Sequence, residues 1–305
     1  MEMKLFLRRL FSVGLLIIVS IFLLSFVSYA IFNKRNKKYL AAYYIKINRL
    51  KETSGKKRLI LLGGSATAFS LSSEMLRDSL HMEVVNCGLH ADAGLNNEVD
   101  FFYKYFNKKT DIIVILPEYD IMTKFEQDYK SEVSIYTKSL MPVAFPDPFV
   151  WTYFLQRNNP VTYLKEILVS RDYTVYHKDN FNKYGDISHY PAHWKYVMPT
   201  FRKKYVINFT PNLQEAVKYI QQKFNGFEYY IAPTPIHSVW SQSSLHRYDG
   251  LMRKDFGSRY IVNSAATQHV LNDSLFYNTI FHPTAAGKEI YTNFIIKSLK
   301  AQINK

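Results

Sequence analysis

Cysteine is nearly absent from this chain of 305 residues. Cys87 stands alone, so no disulfide can form within the chain, and the cysteine count leaves the redox compartment open. Acidic residues are also scarce, with 25 Asp and Glu against 39 Lys and Arg, which gives a net charge of +14. No nucleic-acid motif and no internal repeat accompany that charge. The excess of basic residues therefore indicates attraction to anionic lipid head groups or anionic surface glycans, or simply a solvated basic surface.

Charge is missing altogether from the apolar stretch Leu10–Phe32, which is long enough as a helix to cross a bilayer. Ser28-Tyr29-Ala30 loosely resembles a signal-peptidase site, but a cleaved signal has a shorter apolar core, which favours an uncleaved anchor. Basic residues flank the stretch almost equally on both sides, so they do not set its orientation. An exported domain after the anchor is permitted.

The whole chain is 48% hydrophobic, and the part after the apolar stretch is long enough for one large domain. We divide the chain into a membrane anchor at 1–38, a basic and tyrosine-rich juxtamembrane helix and linker at 39–57, and a domain at 58–305. Residues 122–208 of that domain are rich in aromatics and interrupted by prolines, and we interpret them as an insertion. Its aromatic side chains either line a carbohydrate or lipid-linked substrate groove or form the insertion's own core.

Apolar runs and helical spacing alternate on either side of the insertion. Predicted strands are Arg58–Leu62, Glu83–Asn86, Asp111–Leu116, Glu228–Ala232 and a short one at Tyr260–Val262. Predicted helices run from Ser72 or Ser73 to Leu80, from Leu95 to Phe106, from Pro211 to Phe224 and from Thr284 to Lys300. This alternation predicts an α/β fold with a parallel sheet.

Small and polar residues follow the predicted strands at the points where they end. These positions are Gly63-Gly64-Ser65, Asn86-Cys87-Gly88, Pro117-Glu118-Tyr119-Asp120 and Pro233-Thr234-Pro235. Because ligands of open α/β sheets bind outside the carboxyl ends of the strands, we expect these residues around one cleft. His282, at the entry to the last helix, is placed to reach Ser65 and act as its general base.

Three of these segments resemble the SGNH (GDSL-like) hydrolases. Gly63-Gly64-Ser65 is similar to the block that supplies the nucleophile, Asn86-Cys87-Gly88-Leu89 to the block whose glycine N–H helps form the oxyanion hole, and His282-Pro283-Thr284-Ala285-Ala286-Gly287 to the block that supplies the base. The resemblance implies a three-layer αβα, flavodoxin-like domain. Within the family, the chain most resembles the membrane-anchored bacterial members associated with acylation of surface polysaccharides and D-alanylation of teichoic acids. Those members share its N-terminal anchor and a third block like Pro117-Glu118-Tyr119.

The resemblance assigns provisional roles. Ser65 is the expected nucleophile and His282 the base, with Ser65 N–H, Gly88 N–H and the Glu118 position around the oxyanion. The family usually has asparagine where Glu118 or Tyr119 stands. It usually has an acid three or four residues before the histidine, where this chain has Thr279 and Asn278. Asn278 can orient the imidazole through its side-chain oxygen, and Asp273 can replace it only if the loop folds over.

The expected activity is acyl or acetyl transfer to, or ester hydrolysis on, a cell-envelope glycan, by a domain anchored in the membrane and facing away from the cytoplasm. No metal or organic cofactor is expected, and a membrane acyltransferase is an expected partner. The alternative is a catalytically weak or inactive SGNH-fold protein that binds glycan or scaffolds an envelope modification complex. The Glu118 and Asn278 positions favour that alternative.

The other histidines carry weaker hypotheses. His90 and His237 follow strand ends and are possible substrate contacts, although a structural role is as plausible for each. His189 and His193 have the four-residue spacing of a helical zinc pair, but Pro191 between them argues against a helix.

Overall fold

A parallel sheet of four strands in the order β2-β1-β3-β4 forms the centre of the fold. The strands are β1 at Arg58–Gly63, β2 at Glu83–Asn86, β3 at Asp111–Leu116 and β4 at Glu228–Ile231. The computed structural model describes residues 2–35, 39–89, 94–118, 178–189, 211–261, 270–277 and 279–303. Within these ranges the chain has the α/β architecture that the sequence predicts.

Helices cover both faces of this sheet. Their bounds are α1 Glu2–Arg35, α2 Tyr39–Glu52, α3 Ser65–Ser70, α4 Ser73–Leu80, α5 Leu95–Tyr103, α6 Pro211–Lys223, α7 Gln242–Phe256 and α8 Ala285–Ile303. On one face, Ile60 and Leu62 share a core with helices α2, α5, α6 and α7. On the other face, Leu59 and Leu61 pack with α4 and α8. The run Leu59–Leu62 is continuously apolar because both faces of β1 are buried.

Most predicted boundaries agree with the structure. Strands β2 and β3 have the predicted bounds, and β1 extends one residue further, to Gly63. Ser72 caps α4, since its hydroxyl accepts a hydrogen bond from the Met75 N–H at 3.4 Å. Tyr260 forms an isolated parallel bridge to Ile231 where the last short strand is predicted. Val262 and most of the insertion at 122–208 lie outside the described residues.

Helix α1 is long and apolar enough, by length and composition, to cross a membrane. Its candidate span is Met3–Leu24, with a mean hydropathy of 2.2 and no part of it buried against the rest of the chain. The span overlaps the uncharged stretch Leu10–Phe32 but begins earlier, because the helix already starts at Glu2.

Helix α2 packs against the sheet, where we expect only a juxtamembrane helix and linker. Tyr43 and Leu50 are buried, and the Tyr43 ring contacts Phe101 at a centroid distance of 4.8 Å. The carbonyl of Leu50 accepts a hydrogen bond from Arg58 Nη1 at 2.6 Å. Helix α2 is therefore part of the domain's core.

Lys46 of α2 is a fully buried lysine at the end of β2. Its ammonium group donates to the carbonyls of Asn86 at 2.8 Å and Gly185 at 2.7 Å, and it lies over the Phe181 ring. Burial lowers the pKa of Lys46 from 10.5 to about 8, while Cys87 and Asp186 act in the opposite direction. Keeping Lys46 charged in the folded state therefore lowers the free energy of unfolding.

That cost predicts a pH dependence of stability. Between pH 8 and 10.5 the folded state has lost the Lys46 proton that the unfolded state still holds, so the free energy of unfolding rises with pH across this window. The rise is at most about 3 kcal/mol, at 1.36 kcal/mol per pKa unit. Lys46→Met should remove it, measured as the difference between variant and wild type in urea unfolding at several pH values. Lys51→Met, at an exposed position of the same helix, is the control. Equal pH slopes in wild type and Lys46→Met would contradict the prediction.

Candidate active site

Ser65 is held at the carboxyl end of β1 by a glycine turn. Gly63 has a φ of +147°, and a Cβ there would lie 2.3 Å from the carbonyl oxygen of Leu116, so no other residue fits without a shift. The chain then turns directly into α3, whose first residue is Ser65. The side chain of Ser65 is only slightly accessible, since the residue is 7% exposed.

His282 lies against Ser65. Its Nε2 atom is 2.8 Å from Ser65 Oγ, within hydrogen-bond distance. The imidazole stacks on the buried Phe69 ring of α3, with centroids 3.8 Å apart and planes 6° from parallel. The ring of the candidate base is thus supported on the same short helix that begins with the candidate nucleophile.

The segment that carries His282 is closed by backbone hydrogen bonds. The Tyr277 N–H donates to the His282 carbonyl at 2.7 Å, and the Thr284 N–H donates to the Leu275 carbonyl at 2.7 Å. Phe276 and Pro283 form an antiparallel bridge between them. The histidine therefore sits on a hairpin-like turn that opens directly into α8. Asn278 lies outside the described residues, so its expected role beside His282 stays a prediction.

Glu118 also reaches the nucleophile. Its Oε1 atom accepts from the Ala66 N–H at 2.6 Å and lies 3.3 Å from Ser65 Oγ, and the residue is 2% exposed. The Ser65 hydroxyl therefore has two acceptors, His282 at 2.8 Å and Glu118 at 3.3 Å. A proton directed at His282 prepares the oxygen for attack with the imidazole as general base.

Gly88, the second expected oxyanion donor, lies in close contact with α3. A Cβ at this position would come within 2.6 Å of the Thr67 Cβ. The Gly88 N–H donates to Asn86 Oδ1 at 2.9 Å. An acyl oxygen can accept from Gly88 only by sharing or displacing that bond, so the oxyanion role of Gly88 stays a prediction.

The Asn86 side chain links the end of β2 by hydrogen bonds to α3 and to Asp186. Besides accepting from Gly88, its amide donates to the Thr67 carbonyl at 3.0 Å and to Asp186 Oδ1 at 2.9 Å. Asp186 in turn accepts from the Ser73 N–H at 2.9 Å. Sequence reasoning includes Asn86 in the second block but assigns no role to its amide and does not identify Asp186.

A second buried carboxyl group, Glu98, lies on α5 near Glu118. Burial raises the pKa of Glu98 well above its usual range, and the charge of Glu118 raises it further, while Lys46 lowers it. Sequence reasoning missed Glu98. The available signal was a lone acid among the apolar positions of α5, whose neighbours Leu95, Val99 and Phe102 are all buried.

His237 is buried, although we expect a possible substrate contact. It is 1% exposed, its Nδ1 accepts from the Val239 N–H at 3.0 Å, and its Nε2 lies 3.4 Å from Asp273 Oδ1. Asp273, the alternative partner for His282, thus pairs with His237 and also accepts from Ser238. His237 belongs to a two-residue ribbon, in which β5 at Ile236–His237 pairs with β6 at Val270–Leu271.

The remaining expected contacts are only partly described. His90, Tyr119, Pro191 and His193 lie outside the described residues, while His189 is exposed beside Ser188. Among the residues that the structure describes, no group of three or more His, Cys, Asp or Glu side chains is placed to hold a metal ion.

Comparison of the chain with protein-family models, with curated proteins and with solved structures finds no match.

The Glu118 geometry predicts the effect of removing its charge. Glu118→Gln keeps an oxygen that can accept from Ala66 but removes a negative charge that an oxyanion on the attacked carbonyl would face. A like charge about 4 Å away costs about 4 kcal/mol at an effective dielectric of 20, so we expect hydrolysis of p-nitrophenyl acetate to rise at least about tenfold.

The matched control is Glu289→Gln, an exposed acid on α8. A fall in rate on Glu118→Gln, with the control unchanged, would mean that the reaction needs the carboxyl group of Glu118 itself.

Proposed function

We propose that this chain is a membrane-anchored serine esterase or O-acyltransferase of SGNH type, acting on a cell-envelope glycan. The observation that carries the proposal is the 2.8 Å contact between Ser65 Oγ and His282 Nε2 at the carboxyl edge of a parallel sheet. Support for the fold comes from the strand order β2-β1-β3-β4, which is the order of flavodoxin-like sheets, with Tyr260 bridging the outer side of β4 where a fifth strand belongs.

The proposed chemistry is a two-step acyl transfer. Ser65 Oγ forms a bond to the acyl carbonyl carbon while His282 Nε2 takes the hydroxyl proton. The tetrahedral intermediate then expels the leaving oxygen, which receives that proton from His282. A glycan hydroxyl or water attacks the acyl-serine in the second step, again losing its proton to His282 and regenerating the serine. His282 carries each proton between the serine, the leaving oxygen and the attacking hydroxyl or water, so the scheme calls for no metal or organic cofactor.

The substrate class follows from the anchor and the charge. Helix α1 holds the domain at a membrane, and the net charge of +14 favours anionic envelope polymers or lipid-linked glycans. A membrane acyltransferase that delivers the acyl group is the partner we propose. We propose that the domain after Phe32 lies on the outer side of the membrane.

One observation favours a second function, a glycan-binding or scaffold protein without catalysis. The carboxyl group of Glu118 lies within 3.3 Å of Ser65 Oγ, where an ionised acid opposes the negative charge that acyl transfer creates. A protein that only binds glycan has no such conflict at this position.

Substitution of the nucleophile separates the two functions. Ser65→Ala should abolish acyl transfer and leave stability nearly unchanged, because only one slightly accessible hydroxyl is lost. The matched control is Ser243→Ala, an exposed serine of α7.

Asn278→Asp should raise ester hydrolysis, because a carboxylate stabilises the imidazolium that Asn278 can only orient. In a serine protease the reverse change lowers turnover about ten-thousandfold, which is an upper bound here.

The assay is hydrolysis of p-nitrophenyl acetate together with trapping of the serine by an acyl-serine probe. No activity and no trapping in wild type or Asn278→Asp would favour the binding protein. Equal rates in wild type and Asn278→Asp, with Ser65→Ala inactive, would show that another group already orients His282.

The proposed topology has its own test. Protease added to intact spheroplasts should digest the chain beyond residue 40 while leaving a cytoplasmic marker protein whole. Protection of that region until the membrane is permeabilised would place the domain in the cytoplasm and exclude envelope glycans as substrates.

A further inference from the structure

The direction of α2 determines where the membrane anchor joins the domain. Arg49 of α2 pairs with Glu83, the first residue of β2, at 2.5 Å, whereas Lys46 contacts the carbonyl of Asn86, the last residue of β2, at 2.8 Å. Leu50 lies beside Arg58, the first residue of β1. Residues 49 and 50 of α2 thus lie at the amino edge of the sheet, where the strands begin, and residue 46 lies at the carboxyl edge, where they end. Helix α2 runs antiparallel to the strands.

The start of α2 therefore lies at the carboxyl edge. Tyr39 precedes Lys46 by seven residues, which is about 10 Å of helix beyond the level of Asn86. Residues 36–38 separate Tyr39 from Arg35, the last residue of α1, so these two Cα atoms lie at most about 14 Å apart. The end of the uncharged stretch, Phe32, is one helical turn before Arg35. The membrane surface and the start of α2 are thus close neighbours along the chain.

Ser65 lies at that same edge of the sheet. It follows the carboxyl end of β1, and His282 meets it there at 2.8 Å. We propose that the Ser65–His282 site faces the bilayer in which the chain is anchored, so that it takes an acyl donor or acceptor attached to a lipid, rather than a polymer dissolved away from the membrane. This inference rests on the proposed function for its chemistry, but its geometry is independent of catalysis.

The competing arrangement is one in which the amino edge of the sheet, rather than the carboxyl edge, faces the bilayer. The loops before β1 and β3 place the exposed residues Lys56, Lys57, Lys108 and Lys109 at the amino edge, and these would attract anionic lipids if the domain folded back on its tether. The short connection between α1 and α2 favours an orientation with the carboxyl edge toward the membrane. It joins α2 at that edge, and the amino edge lies a full strand length further away.

Fluorescent labels at the two edges test the orientation in the full chain, reconstituted into phosphatidylcholine vesicles with and without phosphatidylglycerol. Ala286→Cys, on the exposed start of α8 beside the site, marks the carboxyl edge, and Lys109→Cys marks the amino edge. The native Cys87 is a suitable background, since it is fully buried and burial raises the pKa of its thiol to about 12.

Energy transfer to acceptor lipids should be at least about twofold greater from residue 286 than from residue 109, because the sheet separates the labels by about 20 Å. Equal transfer, or greater transfer from residue 109 in either lipid mixture, would overturn the proposed orientation.

A second experiment tests the substrate class. Vesicles carry a long-chain p-nitrophenyl ester either in the same bilayer as the enzyme or in separate vesicles, with soluble p-nitrophenyl acetate as the reference. The proposal predicts hydrolysis of the ester in the shared bilayer and a loss of at least about tenfold in separate vesicles, because a tethered site meets only its own membrane. Equal rates in the two arrangements would overturn it. Loss of activity toward both esters in every arrangement would instead count against the proposed function, while the label experiment still reports the orientation.

Discussion

The buried ion pair between Arg58 and Asp111 sets the alignment on which the candidate site depends. These residues face each other as the first pair of β1 and β3, joined by hydrogen bonds of 2.8 and 2.6 Å, and both side chains are almost fully buried. Removing one partner of such a pair costs about 3–5 kcal/mol, because the other charge is left without compensation. The pair therefore strongly disfavours any other register of the two central strands.

The register then determines what meets at the other end of the sheet. With Arg58 opposite Asp111, Gly63 lies opposite Leu116, and Ser65 and Glu118 both follow two residues later. A slip of one residue would turn each side chain of β3 to the other face and separate the carboxyl group from the nucleophile. Arg58 Nη1 also donates to the Leu50 carbonyl, so one guanidinium group holds both the strand alignment and the end of α2.

Three buried ionisable residues, Glu118, Glu98 and Lys46, lie behind this edge of the sheet. Burial and the charge of Glu118 raise the pKa of Glu98, and Lys46 lowers it. Hydrogen bonds satisfy part of this cluster. The Ala66 N–H donates to the Glu118 carboxyl group, and the Lys46 ammonium group donates to two backbone carbonyls. Such a cluster reduces stability relative to an apolar core, which favours a functional role for at least one of its members.

Local patterns predict the strands and the Ser65–His282 pair well, since apolar runs bounded by glycine or polar residues are visible within a few positions. Long-range polar contacts were not predictable in this way. The sequence does not indicate that Lys46 will meet Gly185, 139 residues later, or that Asn86 will meet Asp186, 100 residues later. Helix α7 was also missed, although its buried positions Leu245, Tyr248 and Met252 have helical spacing.

The two halves of the Ser65–His282 contact come from opposite ends of the domain, 217 residues apart. Helix α8, which follows His282, packs directly on α3 and α4 beside the nucleophile. During synthesis the serine is made 217 residues before the histidine. A growing chain therefore has no assembled pair, and the contact forms only once the C-terminal helix has docked. Any chemistry that needs both side chains therefore has to wait until the segment carrying His282 and α8 has been made and has folded onto α3.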